Sequence, residues 1–121
     1  MKPLAWMASS KKDFLEFPKP VIQDVGHALW LVQEGDMPPN AKPLRGFGGA
    51  SILEIVDNYD GDTYRAVYTV RFEEAVYILH CFEKKSKSGV ATPRRDVALV
   101  RGRLKLAEEE SKRWHENLKK L

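Results

Sequence analysis

"SILEIVDNYDGDTYRAVYTVRFEEAVYILHCF", residues 51–82, decides the fold. Three runs rich in β-branched and aromatic residues, "SILEIVD", "TYRAVYTVRF" and "AVYILHCF", are separated by "NYDGD" and "EE". That composition predicts three strands, and Asp60-Gly61 is a strong two-residue hairpin signal. The result is an antiparallel meander. Period-two alternation sets Arg65, Val67, Thr69 and Arg71 on one face of the middle strand and Tyr64, Ala66, Tyr68 and Val70 on the other. Apolar positions occur on both faces, so helices are expected to cover at least part of each. Arg65 stands out within this pattern. A buried guanidinium needs a partner, so it either pairs with Glu54 or Asp57 across the hairpin or looks into a cleft that takes an anion.

Upstream, "PLAWM" (3–7) can form a short first strand. Ser9 or Ser10 can then cap a helix over "KKDFLEF", with Asp13 as capping-box partner and Pro18 ending it. Pro20 suits the first turn of a second helix, in which Val21, Ile22, Val25, Ala28, Leu29 and Val32 recur at steps of three and four, and Gly35 supplies the stop. "DMPPNAKPLRGFGG" (36–49) has no periodicity and reads as a long loop. Downstream, Thr92 is the expected N-cap and Pro93 the first residue of a long helix. Its apolar seam is Val97, Val100, Leu104, Ala107, Ser111, Trp114, Leu118 and Leu121. At ~28 residues and ~1.5 Å each this helix outreaches the domain, so its far end is available to a partner or a second copy. The expected fold is α+β: a small antiparallel sheet of three to four strands, two N-terminal helices and one long C-terminal helix, in a single domain over 1–121.

The 121 residues are 43% hydrophobic and 31% charged, ordinary values for a globular chain. No window approaches the ~20 apolar residues of a membrane span, and "MKPLAWMASSKK" lacks the apolar core of a secretory signal. A lone Cys81 in an apolar strand fits a reducing cytoplasm and a buried small hydrophobe. His27, His80 and His115 fall on different elements without metal-ligand spacing, so neither a metal nor a cofactor is expected. "GFGG" lies before a strand and lacks the strand-then-helix context of a phosphate-binding fingerprint.

What remains is cationic. The net charge is +3, but residues 84–121 hold 12 Lys/Arg against 5 Asp/Glu (+7), leaving 8 against 12 (−4) for residues 1–83. Lys84 and Lys85 end the third strand of the meander, with Ser86, Lys87 and Ser88 in the Gly-containing loop that follows. Lys42 and Arg45 from the long loop, and Arg94 and Arg95 from the first turn of the last helix, can converge on the same edge. Cations at a helix N-terminus oppose its dipole, which suggests another demand on them. Arg65 and Arg71, on one strand face, extend a footprint suited to a phosphate backbone, with Tyr68 and Phe47 available for stacking. The structural alternatives are an ion pair for Arg65, an edge guard against aggregation for Lys84 and Lys85, and a core histidine for His80.

"KPLRGFGGASILEI", "GDTYRAVYTV", "VYILHCFEKKSKS" and "TPRRDVALVRGRLKLAEE", in that order, resemble the HigB-like, phage-associated branch of the RelE/ParE toxin superfamily over roughly Lys42–Glu110. The resemblance implies a microbial-RNase-like fold, a cytoplasmic toxin of a toxin–antitoxin pair, and neutralisation by a cognate helix-turn-helix antitoxin, with DNA met only through that antitoxin. In the RelE and HigB members it implies cleavage of messenger RNA on the ribosome, without metal, by attack of a 2′-hydroxyl on its adjacent phosphate. Arg65 then corresponds to the transition-state stabiliser, Lys84 and Lys85 to phosphate clamps or base, and Tyr68 and His80 to candidate proton donors. "ILEIV" departs from many relatives, carrying Glu54 where they bear basic residues. The resemblance also leaves room for a ParE-like inhibitor of DNA gyrase that is not an enzyme, and for a catalytically silent RNA-binding module of phage origin.

Overall fold

The two-residue hairpin forms as its sequence requires. In the computed structural model, which describes residues 1–49, 51–84 and 91–121, Asp60 and Gly61 take φ of 51° and 85°. Both central residues of a type I′ turn need positive φ, which Gly accepts freely and Asp tolerates. The turn joins β3 (Ile52–Tyr59) to β4 (Asp62–Thr69) and sets Tyr59 opposite Asp62, Val56 opposite Arg65 and Glu54 opposite Val67. Antiparallel to β4 on its other side runs β5 (Val76–Lys84), with Arg65 opposite Phe82.

Two further strands complete the sheet. β1 (Leu4–Trp6) lies parallel to β5, and β2 (Ala41–Pro43) antiparallel to β3, giving the order β1-β5-β4-β3-β2. The sheet is therefore five-stranded and mixed, larger than the three to four antiparallel strands expected. β2 corrects the reading of 36–49 as loop throughout: three residues are too few to show alternation, and Pro43 is tolerated because the strand is an edge. The middle strand also ends earlier than expected, at Thr69.

Helices α1 (Ser10–Leu15) and α2 (Lys19–Gln33) cover one face. There Val21, Val25, Ala28, Leu29 and Val32 pack on Leu53, Ile55, Tyr64, Ala66, Tyr68, Val76 and Ile78. Gly35, at φ 90°, lets the chain turn out of α2. The other face is covered by α3 (Arg94–Lys119), whose Val100, Leu104 and Ala107 meet Ile52, Val67, Tyr77 and Leu79. Beyond Ser111 the apolar seam continues past its cover: Trp114 and Leu118 are each 45% exposed.

A bulge opposite Val67/Tyr68 inserts one extra residue into β5. Tyr77 and Leu79 already face α3, so strict alternation would turn His80 toward α2. The extra residue instead keeps His80 on the α3 face, where it meets Asp96.

Across α2 and β3, the carboxyls of Asp24 and Asp57 share a small cavity with His27. Burial, and then the Asp24 carboxylate, raise the Asp57 pKa to about 6. A carboxyl whose folded pKa is raised favours folding below its unfolded value near 4. That contribution is lost as pH rises through about 6. Asp24→Asn is accordingly expected to raise the melting temperature by about 2–4 °C at pH 7.5 and to leave it unchanged near pH 4.5. Equal shifts at both pH values, in thermal melts followed by circular dichroism, would remove the carboxyl pair as the cause.

Candidate active site

Glu54 and Arg65 sit on neighbouring strands, one diagonal step apart on the α3 face, and each is only 2% exposed. Arg65 Nη1 donates to Glu54 Oε1 at 2.7 Å and to Thr92 Oγ1 at 3.0 Å. The Thr92 hydroxyl donates in turn to Glu54 Oε2 at 2.6 Å. A carboxylate, a guanidinium and a hydroxyl thus form one closed triangle. Charge-assisted bonds of this kind satisfy the buried groups and fix their positions.

This triangle explains a second correction. Thr92 does not cap α3: Pro93 occupies the N-cap position, and no side-chain cap bond is made there among the described residues. A buried carboxylate with an oxygen to satisfy outcompetes a solvent-exposed helix end for the hydroxyl.

Above Glu54 opens a cavity of about 240 Å³ lined by Lys42, Leu44, Arg45, Glu54, Thr92 and Val97, among others. The exposed Lys42 places Nζ 3.8 Å from Glu54 Oε1. Lys84 Nζ donates to the carbonyl of Ala91, itself a lining residue, at 3.1 Å. Arg94 and Arg95 are exposed in the adjoining first turn of α3. The cavity therefore has a carboxylate on its floor, cations at its rim and a helix N-terminus alongside, a setting that attracts anions.

Several residues read from the sequence stand elsewhere. Tyr68 lies in the core beneath α2, on the opposite face of the sheet from Arg65, and burial pushes its pKa up to about 12. It does not meet Arg65. His80 has both ring nitrogens engaged: Arg103 Nη1 donates to Nδ1 at 3.2 Å, which leaves Nε2–H to donate to Asp96 Oδ1 at 2.8 Å. Burial holds its pKa below the usual histidine value, and Arg103 also ties α3 to the carbonyl of Leu79 and the hydroxyl of Ser9. His80 fastens the start of α3 to the sheet. Arg71 lies just past the other end of β4, 3.6 Å from Glu108. Lys85 and Lys87 lie outside the described residues. Glu54, Thr92 and Arg101 were not among the expected site residues, although the hairpin register already sets Glu54 beside Arg65.

No group of His, Cys, Asp and Glu side chains among the described residues is arranged to hold a metal ion. Nor is any helix among them long and apolar enough to cross a membrane.

Fold and cavity together define a small α+β protein with a buried acid–guanidinium pair beneath a basic rim. Residues 12–105 match the family model described as phage derived protein Gp49-like (DUF891), and the chain belongs to that family. No curated protein and no solved structure gives a significant match.

Proposed function

We propose that this chain is the toxin of a toxin–antitoxin pair and that it cuts messenger RNA on the ribosome by metal-free attack of a 2′-hydroxyl on the neighbouring phosphate. The observation that carries the reading is the Glu54 carboxylate on the cavity floor, held by Arg65 and surrounded by Lys42 and Arg45. Such a reaction needs a base, an acid and positive charge where the phosphorane forms. Glu54 takes the proton of the 2′-hydroxyl, and the freed oxygen bonds to phosphorus. The P–O5′ bond breaks as a rim cation, Lys42 or Lys84, supplies the proton to the leaving oxygen. A cyclic phosphate and a 5′-hydroxyl result. Arg65 contributes charge from below and orients Glu54, while Lys42 and Arg45 hold the phosphate.

Membership of a phage-derived family fits a toxin module of the HigB-like kind. The site has no aligned acid–base pair of histidines, so placement of the RNA by the ribosome would supply much of the rate. A cognate antitoxin would then act by covering the basic rim.

Lys42→Ala with Arg45→Ala tests the reading without disturbing the fold, because both residues are exposed and such changes usually alter stability by under ~0.5 kcal/mol. Induced expression of the wild type should create new in-frame 5′ ends in cellular messenger RNA, and the double variant should reduce them at least about tenfold. Growth arrest without new RNA ends would sink the nuclease reading. It would favour a ParE-like gyrase inhibitor, for which the exposed Trp114 and Leu118 offer a protein-binding stripe. RNA binding with neither arrest nor cleavage would leave a catalytically silent module.

A further inference from the structure

Beside the cavity, the loop after β2 brings an aromatic ring and a guanidinium together. Arg101 Cζ stands 4.8 Å from the centroid of the Phe47 ring, and Arg101 Nη2 donates to the carbonyl of Gly46 at 3.3 Å. Phe47 is half-buried against the core under α3, whereas Arg101 is exposed. Gly46 takes φ 97°, a left-handed conformation that favours glycine, and sits in ordinary contact range of the helix, where a Cβ would lie 3.7 Å from Arg101 Nη2 and 4.0 Å from Val97 Cγ1. Val97 lines the cavity, as does Arg45, two residues before Phe47.

Spacing along α3 places Arg94, Val97 and Arg101 on one helical face, since steps of three and four keep residues in register. That face runs from the cavity rim to the Phe47 ring. A guanidinium held over an aromatic ring and pinned by a carbonyl, on an exposed residue, is restrained beside that ring while still open to solvent. Single-stranded bases stack on such planes, gaining in proportion to ring area, and a purine offers more than a pyrimidine.

We propose that Phe47 and Arg101 form a stacking platform for one unpaired purine at a fixed position next to the phosphate held in the cavity. This inference rests on the ribonuclease reading above and assigns these two residues the choice of base. They are positioning residues, since neither touches the reacting atoms.

The test is 5′-end mapping of cellular messenger RNA after expression of the wild type, Arg101→Lys and Phe47→Leu. Lysine keeps the charge and loses the plane; leucine keeps every charge and the core contact and loses the ring. The wild type should show a purine enriched about 3- to 10-fold at one position within two nucleotides of the cut. Both variants should still cut while that enrichment falls to background. Cutting with the purine preference intact in both variants overturns the platform and leaves the ribonuclease reading standing. Wild-type cuts with no purine preference do the same. If Arg101→Lys no longer cuts, Phe47→Leu decides alone, and unchanged enrichment there overturns the platform. Absence of wild-type cuts overturns the ribonuclease reading and the platform together.

Discussion

Arg65→Ala is expected to lower the unfolding free energy by about 3–5 kcal/mol, the range for removing one partner of a buried ion pair. The change strands the Glu54 carboxylate, 2% exposed, with Thr92 and the more distant Lys42 as its remaining partners among the described residues. Domains of this size are stable by about 5–15 kcal/mol, so the variant would lie close to unfolding at 37 °C. Urea denaturation followed by circular dichroism gives the number, and a loss under about 1 kcal/mol would mean that the pair is not structural. The double variant Glu54→Leu/Arg65→Met, similar in volume and without charge, should recover most of the loss. It follows that a loss of toxicity in Arg65→Ala would report folding as much as chemistry, which is why the exposed Lys42 and Arg45 are the cleaner probes.

On the proposed ribonuclease reading, in which Glu54 is the base, Glu54→Gln is expected to reduce RNA cleavage by about 10²–10⁴, the range for removing a general base. Glutamine keeps the shape of the side chain: its carbonyl can accept from Arg65 at the Oε1 position while its amide N–H donates to a reoriented Thr92 hydroxyl at the other, but it takes no proton. Its cost to stability should be about 1–3 kcal/mol, smaller than that of Arg65→Ala. Cleavage on purified ribosomes, with folding checked by circular dichroism, separates the two effects. A folded Glu54→Gln protein that cuts within about twofold of wild type would remove Glu54 as the base.

Much of this site follows from one turn. With Asp60 and Gly61 at the tip, the numbers of paired residues in β3 and β4 sum to 121 (59 + 62). Arg65 therefore faces Val56, and Glu54, facing Val67, falls on the same side as Arg65. The pairing of Arg65 with Glu54 was one of two partners the residues themselves suggested. The same alternation sent Tyr68 to the other face, and only the family resemblance placed it among candidate donors. Other features depend on contacts that local patterns do not carry. β2 is three residues long with a proline at its edge, and β1 finds a parallel partner far along the chain. The bulge that turns His80 toward α3 leaves no sign in "VYILHCF". Thr92 reads locally as a cap, and only the three-dimensional proximity of Glu54 diverts its hydroxyl.

The parallel pairing of β1 with β5 also affects when the protein can become complete. The Ser10 hydroxyl, just past β1, bonds to the carbonyl of Ile78 across 68 residues of sequence. At about 5–20 residues per second, several seconds of synthesis separate the two partners. The local β3–β4 hairpin can form early, whereas β1 must wait for β5, and α3, which closes the cavity, is made later still. A nascent chain thus acquires its cation-lined cavity only after the first turns of α3 have been made, well after its first strand and first hairpin.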